Sequence, residues 1–272
     1  MTGRSKLIAA MTGSILIWGC ALGLLCGADR VQRNASSVSD QRPLVVLCAS
    51  SNRGVIDACC REYHRRCGDE VVVQYGASQT LLSSIEITNA GDLFLPADDS
   101  YLSHAAAQGR ISDSFALASM NVVAVVRRDN HKSIATLDDL DRRDIRLSQA
   151  NPDTAAVGRL TRDRLASIGY WEKIDRATDT YHTSVTEVAN DVVLGSADVG
   201  FIFDAMLKSY PDLHAIQIEQ LVDTTAELGI GILSSSDQRE RAIKFVGFLL
   251  NDDGGQAIYR QFGFHPAEAN GT

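Results

Sequence analysis

Two serines, each lying between a strand-like and a helix-like run, are the residues of this 272-residue chain best placed to do chemistry. Ser78 stands in Gly76-Ala77-Ser78-Gln79-Thr80, after Val71–Tyr75 and before a stretch in which Leu81, Leu82 and Ile85 are apolar. Ser50 stands in Cys48-Ala49-Ser50-Ser51-Asn52, one strand–helix unit earlier. A helix start leaves its first backbone N–H groups without intrahelical partners. With the helix dipole behind them and a hydroxyl beside them, such donors suit a small anion. A single serine here is explained by helix capping. Two at successive strand ends leave capping and ligand binding both open. Later in the chain, Ala155-Ala156-Val157-Gly158 and Thr183-Ser184-Val185 open helices with small residues and can offer N–H donors from the opposite side. Arg53 is the one basic residue placed at these four turns.

Catalysis finds little support. Gly76–Thr80 has the outline of a nucleophile elbow, but Thr80 stands where that motif needs a second glycine. The six histidines are scattered, and Asp98-Asp99 and Asp138-Asp139 read as acids at helix starts. No Walker loop and no dinucleotide-binding glycine pattern is present. Cys48 ends an apolar strand and Cys59 and Cys60 sit mid-helix, which makes buried free thiols of them, with a bridge from either helix thiol to Cys67 as the alternative. One His64 among these thiols is no zinc pattern. The expectation is a protein that is not an enzyme, with no catalytic residue, no cofactor and no bound metal.

The net charge of −8 argues against nucleic acid as a partner. Arg4 and Lys6 precede an uncharged apolar run from Leu7 to Ala28, the pattern of an export signal. The run is also long enough to remain as a membrane tether. Residues 1–28 are therefore a signal peptide or anchor, and polar residues 29–42 a linker. Losing residues 1–28 removes two basic residues and no acidic one, which takes the charge to −10. The protein is expected in the periplasm or another extracytoplasmic space, as a monomer.

From Pro43 onward, strand and helix patterns alternate. Leu44–Cys48, Val71–Tyr75 and Asp92–Leu95 read as strands, and Gly54–Arg66 and Gln79–Thr88 as helices. Met120–Val126, Ile145–Ser148 and Asp198–Phe203 are further strands, with helices opening at Asn151 and at Val185. Leu228–Leu233 and the helix Gln238–Leu250 close the pattern, the latter with Ile243, Val246, Leu249 and Leu250 apolar. Such alternation predicts an α/β fold, each lobe a mainly parallel sheet flanked by helices. Two lobes are expected, residues 43–119 plus 204–268 and residues 120–203, joined by two hinge crossovers. Ligands of these sheets sit beyond the carboxyl ends of the strands.

At these residues the chain resembles the molybdate-binding proteins of ABC importers, a branch of the type II periplasmic solute-binding proteins. The resemblance runs from about Leu44 to Pro266. Its carriers are Ala49-Ser50, Gly76-Ala-Ser-Gln-Thr-Leu, Gly91-Asp-Leu-Phe-Leu-Pro-Ala-Asp98, Asn151-Pro-Asp-Thr-Ala-Ala-Val-Gly158, Gly195-Ser-Ala-Asp-Val-Gly-Phe-Ile-Phe203 and Tyr259-Arg-Gln-Phe-Gly-Phe264. It implies that a tetrahedral oxyanion, molybdate or tungstate, is held by neutral hydrogen bonds and delivered to an importer permease. By motif, Ser50 and Ser78 would bind through hydroxyl and backbone N–H, and Val157 and Val185 through backbone N–H. Phe203 replaces a tyrosine common in the family, so one donor is missing. Leu95-Pro96 replaces a small serine. The same fold would also serve sulfate, a phosphonate or an organic acid. A Ser78-dependent hydrolase and a tethered sensory domain are the readings from other classes.

Overall fold

The computed structural model describes residues 42–130 and 132–267. The signal or anchor expected over residues 1–28 and the linker up to residue 41 lie outside the described residues. Residues 43 onward form one compact unit.

Three parallel strands lead: β1 (Leu44–Ala49), flanked by β2 (Val71–Gly76) and β3 (Leu93–Leu95). Between them run α1 (Arg53–Cys67) and α2 (Ser78–Thr88), and α3 (Ser100–Ala107) follows β3. Gly68 ends α1 in the left-handed region, φ 74°, where glycine has no Cβ to clash. β4 (Ile111–Arg127) is a single 17-residue strand, longer than the expected Met120–Val126. Its first part, Ile111-Ser-Asp-Ser-Phe115, alternates half-buried and exposed side chains, and with three of these five residues polar it reads as a connection.

Next come β5 (Leu147–Ala150), α4 (Ala156–Ser167), α5 (Trp171–Ala177), β6 (Thr178–His182), α6 (Val185–Leu194) and β7 (Val199–Phe203). β8 (Leu213–Ile216), β9 (Thr225–Leu233), α7 (Arg239–Leu250), α8 (Gly255–Gln261) and β10 (His265–Pro266) complete the chain. The strand order is β2-β1-β3-β9-β4-β7-β5-β6, with β8 and β10 pairing off this path to β4. β5 is parallel to β6 and β7, whereas β9 is antiparallel to β3 and β4. Ile111–Asn121 of β4 pairs with β9, and Val122–Arg127 pairs with β7 and β8. One strand thus belongs to both halves of the sheet.

Helices cover the faces through apolar stripes. In α7 the buried residues are Ala242, Phe245, Val246 and Leu249, an i, i+3, i+4, i+7 face. Of the apolar residues read in this helix, Ile243 and Leu250 are exposed. Phe245 meets Tyr63 of α1 edge-on, ring centroids 5.0 Å apart, which fixes the two helices on one face. Cys48, Cys59, Cys60 and Cys67 are free. Burial pushes the Cys60 thiol up to about 12 and raises Cys48 and Cys59 as well, so these thiols stay protonated and unreactive. Among the described residues no helix is long and apolar enough to cross a membrane, and no cluster of side chains could hold a metal ion.

Candidate functional site

The parallel strands β1, β2, β3, β5 and β6, together with β7, deliver their carboxyl ends to one region of the sheet. There a cavity is lined by Ser50, Ser78, Val157, Val185 and Phe203 together. Residues picked out from four separate turns and one strand end therefore share a wall. Every lining residue is Ala, Gly, Ser, Val or Phe, so no charged side chain faces the space. The room is small, about 20 Å³ for the centre of a water-sized sphere. A single water needs about 10–15 Å³ on that measure. The space is little more than one water fills on that measure.

Three helices begin at this cavity. α2 starts at Ser78 behind Ala77, and α4 at Ala156 behind Ala155; neither start has a side-chain cap. The N–H groups of Ser78, Gln79 and Thr80, and of Ala156, Val157 and Gly158, have no intrahelical acceptor. α6 is different. Its N-cap Ser184 gives its backbone N–H and hydroxyl to the Glu187 carboxylate, at 3.0 and 3.2 Å. Val185, the first residue of α6, remains at the cavity wall.

The hydroxyls are not equivalent. Ser78, 2% exposed, accepts the Ala97 N–H at 3.1 Å and keeps its own proton to donate. Ser50 donates its proton to the Gly76 carbonyl at 3.2 Å, which ties the ends of β1 and β2 together. Ser51 was missed from sequence. It is 8% exposed, lines the cavity, and its Oγ has no hydrogen-bond partner among the described residues. Buried polar groups are almost always satisfied. An orphan hydroxyl in a cavity wall therefore marks a ligand or water position. Asn52, next in line, donates from Nδ2 to the Pro96 carbonyl at 3.2 Å and holds the Pro96-Ala97 segment that Ser78 also grips.

Phe203 is fully buried in the wall and brings no donor. Arg53 stacks over the Tyr75 ring, 3.8 Å from its centroid, and is not part of the lining. His182 and His265 pair with Asp191 and Asp204, at 2.6 and 3.1 Å, and none of the four lines the cavity. Ser78 has no histidine or carboxylate beside it in the lining to take its proton. The wall can hold an acceptor-rich group by hydrogen bonds; it is not equipped to activate a nucleophile.

A family model of bacterial extracellular solute-binding proteins matches residues 44–265. Similar solved structures include the periplasmic molybdate-binding protein of Azotobacter vinelandii, 18% identical with a TM-score of 0.71 over 81% of this chain and 98% of that one. The sulfate-binding protein SubI of Mycobacterium tuberculosis is 17% identical, TM-score 0.72, over 84% of this chain and 88% of its own. The fructose-6-phosphate-bound periplasmic binding protein AfuA of Actinobacillus pleuropneumoniae is 15% identical, TM-score 0.69, over 85% and 86%. At these identities the structures establish a common fold with varied ligands. With the match running over nearly all of the described chain, this protein belongs to the bacterial extracellular solute-binding proteins.

Proposed function

We propose that this protein captures a small, fully deprotonated tetrahedral oxyanion, molybdate or tungstate foremost, between two lobes and hands it to an ABC importer permease outside the cytoplasm. The lobes are residues 43–119 with the chain from β9 onward, and residues 120–203 with β8, which pairs with Ala124–Arg127 and so stays with the second half beyond residue 204. The observation that carries the reading is the small uncharged cavity, onto which uncapped helix starts and serine hydroxyls converge. An oxyanion accepts from every side, and neutral donors in a dry site hold it without a counter-charge. Ser78 contributes hydroxyl and N–H, Val157 and Val185 contribute N–H, and Ser50 organises the edge beside them. Ser51 supplies the hydroxyl that Phe203 does not.

The same wall discriminates. A hydrogen phosphate carries a proton that needs an acceptor, and no carboxylate lines the cavity. One misplaced proton among donors costs about 1.5–3 kcal/mol, or about ten- to a hundredfold in affinity. Closure would turn about two crossovers, one near residues 119–122 and one between β8 and β9. These are pinned to one another, since the Val122 N–H donates to the Thr224 carbonyl at 2.8 Å.

Isothermal titration with molybdate, tungstate, sulfate and phosphate tests the reading. Binding of at least one dianion is expected, with phosphate weakest; silence for all four in folded protein would sink it. Because nothing titratable lines the cavity, Kd should stay flat from about pH 6 to pH 9, where ordinary histidines would otherwise register. A slope over that range would place an ionising group in the site. Ser51→Ala should weaken the anion about tenfold while leaving the melting temperature unchanged or slightly higher. Removing an unpaired buried hydroxyl takes away a desolvation penalty and breaks no bond of the free protein. Equal affinity would exclude Ser51 as a donor.

A further inference from the structure

Arg159 lies in α4, two residues beyond Val157 at the cavity wall. Its Nη2 binds the carboxylate of Asp98 and, at 2.9 Å, the hydroxyl of Ser100. Its guanidinium also stands 5.9 Å from the centroid of the Tyr101 ring. All three partners follow β3, which pairs with β1 and β9, whereas α4 follows β5 in the other half of the sheet. Within its own helix Arg159 also pairs with Asp163, 3.7 Å away.

The acceptor side is prepared in advance. Asp98 is 5% exposed, and its Oδ1 takes the Ser100 N–H at 3.0 Å irrespective of Arg159. The segment before it is bound to the cavity, through the Ala97 N–H on Ser78 and the Pro96 carbonyl on Asn52. A buried, preorganised carboxylate therefore waits at the rim of one wall, and the guanidinium of the other wall reaches it. With the halves apart, Asp98 keeps its Ser100 contact and Arg159 is hydrated. The attraction thus adds to the closed arrangement alone, and it is strongest where solvent is excluded.

We infer that Arg159 is a positioning residue, a latch whose ion pair with Asp98 and Ser100 holds the cleft shut over the ligand and sets the rate of its escape. Arg159 is not itself a lining residue, so its side chain acts on dissociation and not on the contacts to the anion. The inference rests on the two-lobed oxyanion reading above. Lysine would keep the charge without the planar fork that spans carboxylate and hydroxyl together.

The test uses the full chain as wild type, Arg159→Gln and Arg159→Lys, with stopped-flow rates for whichever of the four oxyanions binds best. Arg159→Gln should raise koff about tenfold and leave kon within about twofold. Wild-type koff should climb with salt while that of the variant does not, and Arg159→Lys should fall between them. Equal koff in wild type and Arg159→Gln would overturn the latch. Small-angle scattering of the ligand-free proteins is the arm that needs no anion: Arg159→Gln should have the larger radius of gyration. If no oxyanion binds but the radii differ, the ligand assignment fails and the latch stands. If an anion binds and neither rate nor radius changes, the reverse holds.

Discussion

Ser78→Ala is expected to weaken oxyanion binding about ten- to a hundredfold, the cost of one hydrogen bond to a charged group. The serine does two things at once. Its proton is free for the ligand, while its oxygen accepts the Ala97 N–H at 3.1 Å. Alanine removes both, and leaves a buried amide without an acceptor beside the site. Stability should therefore fall as well, by about 1–3 kcal/mol. Titration calorimetry and thermal melting separate the two effects, because saturating ligand restores a folded but weakened site. A variant that binds as tightly as wild type would remove Ser78 from the reading.

Gly158→Ala should have the larger effect, binding lost altogether. A Cβ at this position would sit 2.2 Å from the Ala150 carbonyl oxygen and 2.9 Å from two backbone carbons. These are main-chain atoms at the end of β5 and just beyond it, and no rotamer change relieves them. α4 must withdraw from the strand, which carries Val157 and its N–H away from the cavity. Overpacking of this kind costs about 1–3 kcal/mol. Gly247 in α7 is the control, since a Cβ there meets nothing within 4 Å. Gly247→Ala should bind normally and melt no lower, alanine being the better helix former by about 1 kcal/mol. Normal binding by Gly158→Ala would mean that α4 contributes no donor.

Much of this site can be read from local chemistry. Gly76–Thr80 and Ala155–Gly158 announce themselves because a strand period gives way to a helix period across small residues; that Ala77 and Ala155, not a serine, stand at the caps shows only in the structure. The match of two such turns to Ser50 and Val185 needs only the alternation of the fold. What stayed hidden depends on distant partners. Ser50 and Ser51 are indistinguishable as letters; the Gly76 carbonyl, 26 residues away, occupies one hydroxyl and leaves the other bare. Arg159 and Asp98 are 61 residues apart, and each has an ordinary local explanation as a helix-surface charge and a helix-start acid. The first part of β4 escaped because its exposed face is polar, and burial there is decided by β9 pairing from the far end of the chain.

That pairing also dictates when the molecule can fold. β9 lies between β3 and β4, with Leu93 against Ile232 and Asn121 against Thr225. Until residues 225–233 exist, β3 and β4 have no neighbour in common, and the first sheet half is split in two. Loop closure over such separations is slow, and late strands impose high contact order. The nascent chain should accordingly remain uncollapsed into its native sheet until most of it has been made, then assemble in one concerted step. For any chain that must be threaded unfolded through a membrane pore, such a delay would keep it threadable.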